Sequence, residues 1–244
     1  MDIYQQEGKS TDIGVVVPSL LDRDDSCLLM TSPCIKNGDV PLVFISGTRN
    51  VCSAYNYGWD LLKTKYVAFT HTDVYLPDGW EYQVLDQIKK VDAFDMYWGA
   101  IGPAGVMCRG DGKKLFSGHI KDRDLLRYTE GLPIEVYSLD EVMVIMRRNV
   151  MYAWDEKMPT YHLSATELCM RLRESGHRSY AIDAPIRHES KLSLVVPSEF
   201  DRSVGYLVAC LLYTSDAADD LPWVDLGGRR IIKKKTNSNL NSII

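Results

Sequence analysis

The stretch "YVAFTHTDVYLPDGW", residues 66–80, decides the predicted fold. Its first half is an apolar run typical of a buried strand. The run ends in His71 and Asp73 and then meets a Pro-Asp-Gly turn signal at 77–79. His71 and Asp73 are one strand period apart, so we expect both side chains on the same face. The sequence therefore predicts an imidazole and a carboxylate at the carboxyl end of a core strand.

Strand and helix patterns alternate around this stretch. "DIGVVVPSLL" (12–21) and "VPLVFISG" (40–47) are β-branched or apolar runs that predict buried strands. "NVCSAYNYGWDLLKTK" (50–65) and "GWEYQVLDQIKK" (79–90) place apolar residues on one face and predict helices. This βαβ rhythm predicts an α/β fold with a mostly parallel central sheet flanked by helices.

The middle of the chain has a different pattern. "YWGAIGPAGVMCRGDGKKLFSGHIKDRD" (97–124) is rich in glycine, which predicts short strands and a mobile loop. "VYSLDEVMVIMRRNV" (136–150) returns to an apolar run and predicts another strand. No repeat or low-complexity segment divides these parts, so we expect one domain.

The closing part predicts one helix and one strand. "SATELCMRLRESGHR" (164–178) begins with a capping box of Ser164 and Glu167 and ends at Gly176. "SYAIDAPIRHES" (179–190) is a final strand that runs out to His188.

Composition excludes several classes of protein. The chain is 45% hydrophobic and 25% charged, with a net charge of -5, so it has no basic field to hold nucleic acid. No apolar stretch approaches the roughly 18 residues of a membrane span, and the polar start is unlike a signal peptide. Six cysteines without a CxxC pair predict reduced thiols and a cytoplasmic location.

The segment 210–244 breaks with what precedes it. Residues 210–219 resemble one translated reading frame of a transposon-end sequencing adapter, and 224–235 resemble a frame of the companion flow-cell adapter. We therefore expect a gene product at 1–209, truncated at its C-terminus, and a non-native, disordered tail at 210–244. The alternative is a disordered basic tail for a membrane or nucleic acid.

The first chemical hypothesis concerns His71 and Asp73. Ligands of open α/β sheets bind beyond the carboxyl ends of the strands. An imidazole and a carboxylate there are suited to a divalent cation such as Mn²⁺ or Mg²⁺. Alternatively, Asp73 caps the following turn and His71 is a core histidine, and the spacing alone does not decide between these roles.

A family resemblance adds to this pattern. "SAYNYGWDLLKTKYVAFTHTDVYLPDGW" (53–80) resembles the core of GT-A glycosyltransferases of the family 2-like group, in which an Asn-bearing helix precedes a strand ending in H-x-D-V or D-x-D. Four further pieces resemble the same family in order along the chain: "GAIGPAGV" (99–106), "SLDEVMVIMRR" (138–148), "WDEKM" (154–158) and "ELCMRLRESGHRSYAIDAPIRHES" (167–190). The resemblance spans residues 13–190 and implies a single GT-A domain.

The resemblance implies a nucleotide-sugar donor and a divalent metal, Mn or Mg, on the donor's diphosphate. It makes Asp73 the best metal ligand, His188 the second, and His71 a contact to the metal or the ribose. The implied donor-binding residues are Ser46, Arg49, Asn56, His71 and Asp73. Many members hold the base with an aspartate after the second strand, where this chain has "SGTRN" (46–50), so Ser46, Thr48 or Arg49 replaces it, or Arg49 pairs with phosphate.

The catalytic base is less clearly marked. Inverting transfer needs a carboxylate that takes the acceptor's proton. Where the family carries a Glu-Asp pair at the start of the closing helix, this chain has Ser164 and Ala165. The remaining candidates are Asp140, Glu141 and Glu167, although a turn explains the first two and the capping box explains the third.

The sequence therefore predicts a metal-assisted glycosyltransferase, with a glycan, a lipid-linked molecule or a protein as acceptor. One rival is a nucleotidyltransferase of related fold, which should carry a glycine-rich phosphate loop after the first strand. "PSLLDRDDS" (18–26) contains no glycine. The other rival is a non-catalytic nucleotide-sugar-binding module, which Ala165 at the expected base position favours.

Overall fold

Three buried, mutually parallel strands lie side by side in the larger of two sheets. The computed structural model describes residues 1–10, 12–19, 27–108, 114–150, 153–189 and 197–214. Numbered in chain order, the strands of the large sheet are β1 (Asp2–Gln6), β2 (Ile13–Ser19), β3 (Leu42–Ser46), β4 (Tyr66–Thr70), β6 (Ala100–Gly102), β10 (Ile134–Val136), β12 (Met143–Arg147) and β13 (Ser179–Ala181). Those of the small sheet are β5 (Val74–Tyr75), β7 (Ala104–Cys108), β8 (Lys114–Asp122), β9 (Leu125–Tyr128), β11 (Ser138–Leu139) and β14 (Ile186–His188).

The large sheet is mixed, which corrects the prediction of a mostly parallel sheet. Its strand order is β1-β3-β2-β4-β12-β6-β13-β10. Strand β2 is parallel to both β3 and β4, and β6 is parallel to β13, as βαβ connections require. The pairs β1–β3, β4–β12, β12–β6 and β13–β10 are antiparallel. The α/β class is confirmed.

Helices cover both faces of this sheet. The described helices are α1 (Pro33–Lys36), α2 (Val51–Leu61), α3 (Trp80–Asp92), α4 (Ser164–Glu174) and α5 (Pro197–Thr214), and a 3₁₀ turn spans Leu28–Thr31. Alternate residues of β2 enter two separate cores, because successive strand side chains point to opposite faces. Val15 packs in the core that contains Trp80 of α3, whereas Val16 packs in the core that contains Tyr55 of α2 and Leu168 of α4.

Local signals fix the helix ends. Helix α2 begins after Asn50, whose side chain accepts a hydrogen bond from the Ser53 backbone N–H at 2.9 Å. The predicted capping box on α4 is wrong. Leu163 precedes this helix in a left-handed conformation, and no side chain of its own caps it. Gly176 follows α4 with φ of +84°, as predicted for a C-terminal glycine.

The parts of the chain near the predicted tail and loop are covered incompletely. Helix α5 continues to Thr214, so residues 210–214 are helical, while the rest of the predicted tail, 215–244, lies outside the described residues. The glycine-rich loop at 109–113 also lies outside them.

No helix in the described ranges combines the length and apolar character needed to cross a bilayer. Cys34, Cys52 and Cys169 are buried thiols, and burial raises the pKa of Cys34 to about 12.

Candidate metal centre

Residues 71–73 lie where the chain leaves the large sheet and enters the small one. They follow β4 and precede β5. The backbone carbonyl of Thr72 accepts a hydrogen bond from the Leu29 N–H at 3.2 Å, and that of Asp73 accepts one from the Glu189 N–H at 2.9 Å. This connection is therefore held from two distant parts of the chain.

Strand β14 brings His188 to this connection. In the small sheet β14 lies between β5 and β8, and His188 is opposite Val74 on one side and Asp122 on the other. The structure thus gathers the three predicted ligands, and one ligand atom from each of His71, Asp73 and His188 lies within 4.8 Å of the others. The distance from His188 Nε2 to Asp73 Oδ1 is 3.5 Å. We call these three residues the His-Asp-His group.

The charges within the His-Asp-His group favour an ionised carboxylate beside one neutral ring. Burial opposes ionisation of Asp73, but the nearby imidazoles of His188 and His71 outweigh it, so the pKa of Asp73 is below its usual value. Burial lowers the pKa of His71 despite the attraction of Asp73. For His188, burial is outweighed by Asp73 and Asp122, and its pKa is raised.

One oxygen in the group makes no hydrogen bond of normal geometry. Asp73 Oδ1 is buried, and its nearest ion-pair partner among the described residues, His188 Nε2, is 3.5 Å away. A buried carboxylate oxygen left in this state costs free energy unless a cation or donor meets it. Two imidazole nitrogens and a carboxylate oxygen fit a first-row transition ion such as Mn²⁺ better than Mg²⁺, which takes oxygen ligands. The residues present therefore fit a divalent metal.

The predicted "LDE" segment lies at the same edge of the sheet. Strand β12 pairs with β4 so that Met143 is opposite Thr70, and the Thr70 hydroxyl donates to the Val142 carbonyl at 2.8 Å. The residues before β12 therefore meet those after β4. Asp140 is one of these residues, three positions before the first residue of β12. Its Oδ1 accepts a hydrogen bond from the Val142 N–H at 3.0 Å.

Glu141 faces the beginning of α4. One of its carboxylate oxygens accepts a hydrogen bond from the backbone N–H of Leu163, and the other lies 3.9 Å from His162 Nδ1. Burial raises the pKa of Glu141 well above its ordinary value, and Asp140 adds to this effect. Glu141 thus supplies the cap that was predicted for Ser164 and Glu167, from a segment distant in sequence.

Glu167 is paired within its own helix. Arg171, one turn further along α4, donates from Nη2 to Glu167 Oε2 at 2.9 Å. Burial raises the pKa of Glu167, although the Arg171 guanidinium opposes this shift. Its carboxylate is therefore occupied by an ion pair.

Three of the five predicted donor-binding residues, Ser46, Arg49 and Asn56, lie at the end of β3 or in the segment that follows it. Because β2 separates β3 from β4, the ends of β3 and β4 are two strand spacings apart, about 10 Å. A pocket of about 400 Å³ opens there, and its lining includes Gly47, Arg49 and Asn56. Arg49 is exposed, whereas Ser46 is buried at the end of β3.

Asn56 has a structural role in this pocket wall. Its side-chain oxygen accepts from the Trp154 N–H at 2.7 Å, and its Nδ2 donates to the Trp154 carbonyl at 3.0 Å and to Glu156 Oε1 at 2.9 Å. These bonds engage both ends of the amide and join α2 to the loop after β12. These contacts match the alternative role of Asn56, that of a packing residue.

Sequence reasoning missed Asp122 and Glu156. Asp122 Oδ1 lies 3.4 Å from His188 Nδ1, on the side of the ring away from Nε2. Within "KDRD" (121–124) it has the character of a turn residue, and only the pairing of β8 with β14 reveals its neighbour. Glu156 lines the pocket at the end of β3 and accepts a hydrogen bond from Asn56. This hydrogen bond joins segments that are distant in sequence.

Comparisons with known proteins give one curated relative and a distant likeness to a solved structure. No family model matches the chain. A protein of Fuscovulum blasticum described as "ATP synthase subunits region ORF 6" is 30% identical over 131 residues, which are 52% of this chain and 52% of that protein. The chain thus spans about half the length of the curated relative it matches. The crystal structure of A197 from STIV matches with a TM-score of 0.42 and 14% identity, over 71% of this chain and 82% of that one.

Proposed function

We propose that this chain is a metal-dependent GT-A glycosyltransferase that moves a sugar from a nucleotide-diphosphate donor to an acceptor hydroxyl, with inversion. The observation that carries the proposal is the His-Asp-His group, in which the buried Oδ1 of Asp73 makes no hydrogen bond of normal geometry. It follows the carboxyl end of β4, which is where α/β sheets bind ligands. The order of family-like segments from 53–80 to 167–190 supports the same function.

His71, Asp73 and His188 would hold the cation. A bound Mn²⁺ would supply positive charge against the diphosphate leaving group as negative charge develops on it. The pocket at the end of β3 is the proposed place for the nucleoside, about two strand spacings from the cation group. Arg49, exposed on the pocket lining, is suited to pair with a phosphate of the donor.

Asp140 is the proposed base. Of the three candidate carboxylates, Glu141 caps α4 and Glu167 is bound by Arg171. The carboxylate of Asp140 accepts one backbone hydrogen bond, and Asp140 precedes β12 at the edge where β12 meets the end of β4. It is therefore the carboxylate best placed to accept the proton of an acceptor hydroxyl beside the cation. The acceptor class, whether glycan, lipid-linked molecule or protein, and the cytoplasmic location belong to the same proposal.

The test is nucleotide release from a panel of UDP-, GDP- and dTDP-sugars, with and without Mn²⁺. We expect one donor class to be hydrolysed slowly when Mn²⁺ is present and not when it is chelated. Asp73→Ala should abolish the metal-dependent binding of that donor. Asp140→Asn should retain donor binding and lower turnover by at least about 100-fold. Absence of binding to every donor, with Mn²⁺ bound, would contradict the proposal.

A non-catalytic nucleotide-sugar-binding module is the second candidate. The observation that favours it is the engagement of Glu141 and Glu167 in structural contacts, together with Ala165 at the expected base position. Saturable, Mn²⁺-dependent donor binding without any nucleotide release would support the module. Turnover that depends on Asp140 would exclude it.

A further inference from the structure

The two ring nitrogens of His188 face two different carboxylates. Nε2 lies 3.5 Å from Asp73 Oδ1, and Nδ1 lies 3.4 Å from Asp122 Oδ1. The ring is mostly buried, with 19% of the side chain exposed, and the Asp122 side chain is 31% exposed. His188 is therefore held between a carboxylate of the His-Asp-His group and a second carboxylate outside it.

The backbone fixes the position of Asp122. Strands β8 and β14 are parallel, and Asp122 and His188 are register partners at their ends. The backbone N–H of Arg123 donates to the His188 carbonyl at 2.8 Å, which locks the register one residue beyond the pair. The contact between the two side chains thus follows from main-chain hydrogen bonds that do not depend on the carboxylate.

We propose that Asp122 is a positioning residue for the cation site. Its carboxylate accepts the hydrogen on Nδ1 of His188, so the lone pair remains on Nε2 and is available to a cation that Asp73 also binds. Histidine ligands commonly donate their other N–H to a carboxylate, which fixes the tautomer and the orientation of the ring. The inference rests on the proposed metal site and does not depend on sugar transfer.

The geometry separates Asp122 from the ligands themselves. The two nitrogens of an imidazole ring point in different directions. A carboxylate that faces Nδ1 therefore does not lie next to an ion bound at Nε2. Accordingly, the group of mutually close ligand atoms among the described residues contains His71, Asp73 and His188 and does not include Asp122.

The chain offers a matched control for this test. His119 and Asp183 form a similar pair, with His119 Nδ1 2.6 Å from Asp183 Oδ1. His119 lies on β8, the strand that carries Asp122, but is not part of the His-Asp-His group. Asp183→Asn therefore alters an imidazole–carboxylate pair whose histidine lies on β8, and it leaves His188 unchanged.

The first readout is Mn²⁺ affinity, measured by calorimetric titration of the full chain. We expect Asp122→Ala to weaken Mn²⁺ binding by about 10–100-fold. Asp122→Asn should lose less, because its amide oxygen still accepts the Nδ1 hydrogen. Asp183→Asn should bind as the wild type does. Mn²⁺ affinity within twofold of wild type in folded Asp122→Ala would overturn the inference.

The second readout is the tautomer of His188 in the chain loaded with Zn²⁺, measured by ¹⁵N NMR, because the bound ion leaves a hydrogen on only one ring nitrogen. We expect the hydrogen on Nδ1 in the wild type and in Asp122→Asn. In Asp122→Ala a substantial fraction should move to Nε2. A wild-type ring with its hydrogen mainly on Nε2 would overturn the inference, even if Asp122→Ala does not fold. Neither readout uses a sugar donor, so a failure of the glycosyltransferase proposal would leave this result intact.

Discussion

The imidazole of His188 lies 3.5 Å from the carboxylate of Asp73, although the two residues come from distant parts of the chain. Asp73 lies in the short connection after β4, and His188 ends β14. Their proximity arises from the antiparallel pairing of β5 with β14, which sets His188 opposite Val74. The small sheet therefore brings together two members of the His-Asp-His group from distant parts of the chain.

Gly58 should be required for the packing of α2 on β2. A Cβ at this position would overlap Cγ1 and Cγ2 of Val16 in the core of the large sheet. We expect Gly58→Ala to lower the free energy of unfolding by about 1–3 kcal/mol, because overpacking outweighs the gain in helix propensity. Urea denaturation measures the change.

Gly205 provides the control for that substitution. It lies within α5, and a Cβ there meets no atom within 4 Å. Gly205→Ala should leave stability unchanged or raise it by up to about 1 kcal/mol. Equal effects of the two alanines would show that the contact with Val16 does not determine the result.

Arg148 should stabilise the junction between β12 and the end of α2. Its guanidinium donates to the carbonyls of Trp59, Leu62 and Thr64 at 2.8, 2.9 and 3.1 Å, and it stacks on the Trp59 ring at 4.2 Å. Arg148→Ala leaves these acceptors unpaired and should cost about 2–4 kcal/mol of unfolding free energy.

Arg148→Lys tests whether charge alone explains this effect. Lysine keeps the charge but lacks the planar fork, so we expect an intermediate loss in urea denaturation. Arg202, exposed on α5, serves as the control, and Arg202→Ala should change stability by less than about 0.5 kcal/mol. A full rescue by lysine would show that the fork geometry is unimportant.

Glu141 should make stability depend on pH. Its pKa in the folded chain is raised above the ordinary value of 4.5. Its contribution to stability is therefore fully present below about pH 4.5 and is lost as pH rises through the folded-state pKa. Across that window the loss is at most about 1.4 kcal/mol per pH unit.

Glu141→Gln removes this titration while keeping an acceptor for the Leu163 N–H. We expect the variant to gain stability relative to the wild type as pH rises from 4.5, measured as urea midpoints at a series of pH values. A constant difference between the two proteins at every pH would show that the pKa of Glu141 does not change on folding.

The sequence predicts secondary structure well where the signal is local. The apolar run before His71, the helix after Asn50 and the glycine after α4 all lie where their patterns indicate. The antiparallel strands beside β4 could not be predicted in the same way, because a buried strand such as β12 has the same apolar pattern in either direction.

Contacts between distant segments account for the other errors. The sequence alone gives Ser164 and Glu167 a capping box, but tertiary contact places Glu141 at the helix start and Arg171 on Glu167. Asp122 carries no local signal of its place beside His188, because that place is set by the pairing of β8 with β14. Sequence reasoning can therefore name ligand types, while their supporting residues depend on the sheet register.

The most direct test of the account is a calorimetric titration of the chain with Mn²⁺, repeated with Fe²⁺, Zn²⁺ and Mg²⁺. Asp73→Asn is compared with Asp86→Asn, which alters an exposed carboxylate paired with Lys90. We predict one Mn²⁺ site that is weakened more than about 100-fold in Asp73→Asn and is unchanged in Asp86→Asn, with both variants folded in urea denaturation. Wild-type affinity in a folded Asp73→Asn variant, or no binding of any of these ions to the wild type, would contradict the account.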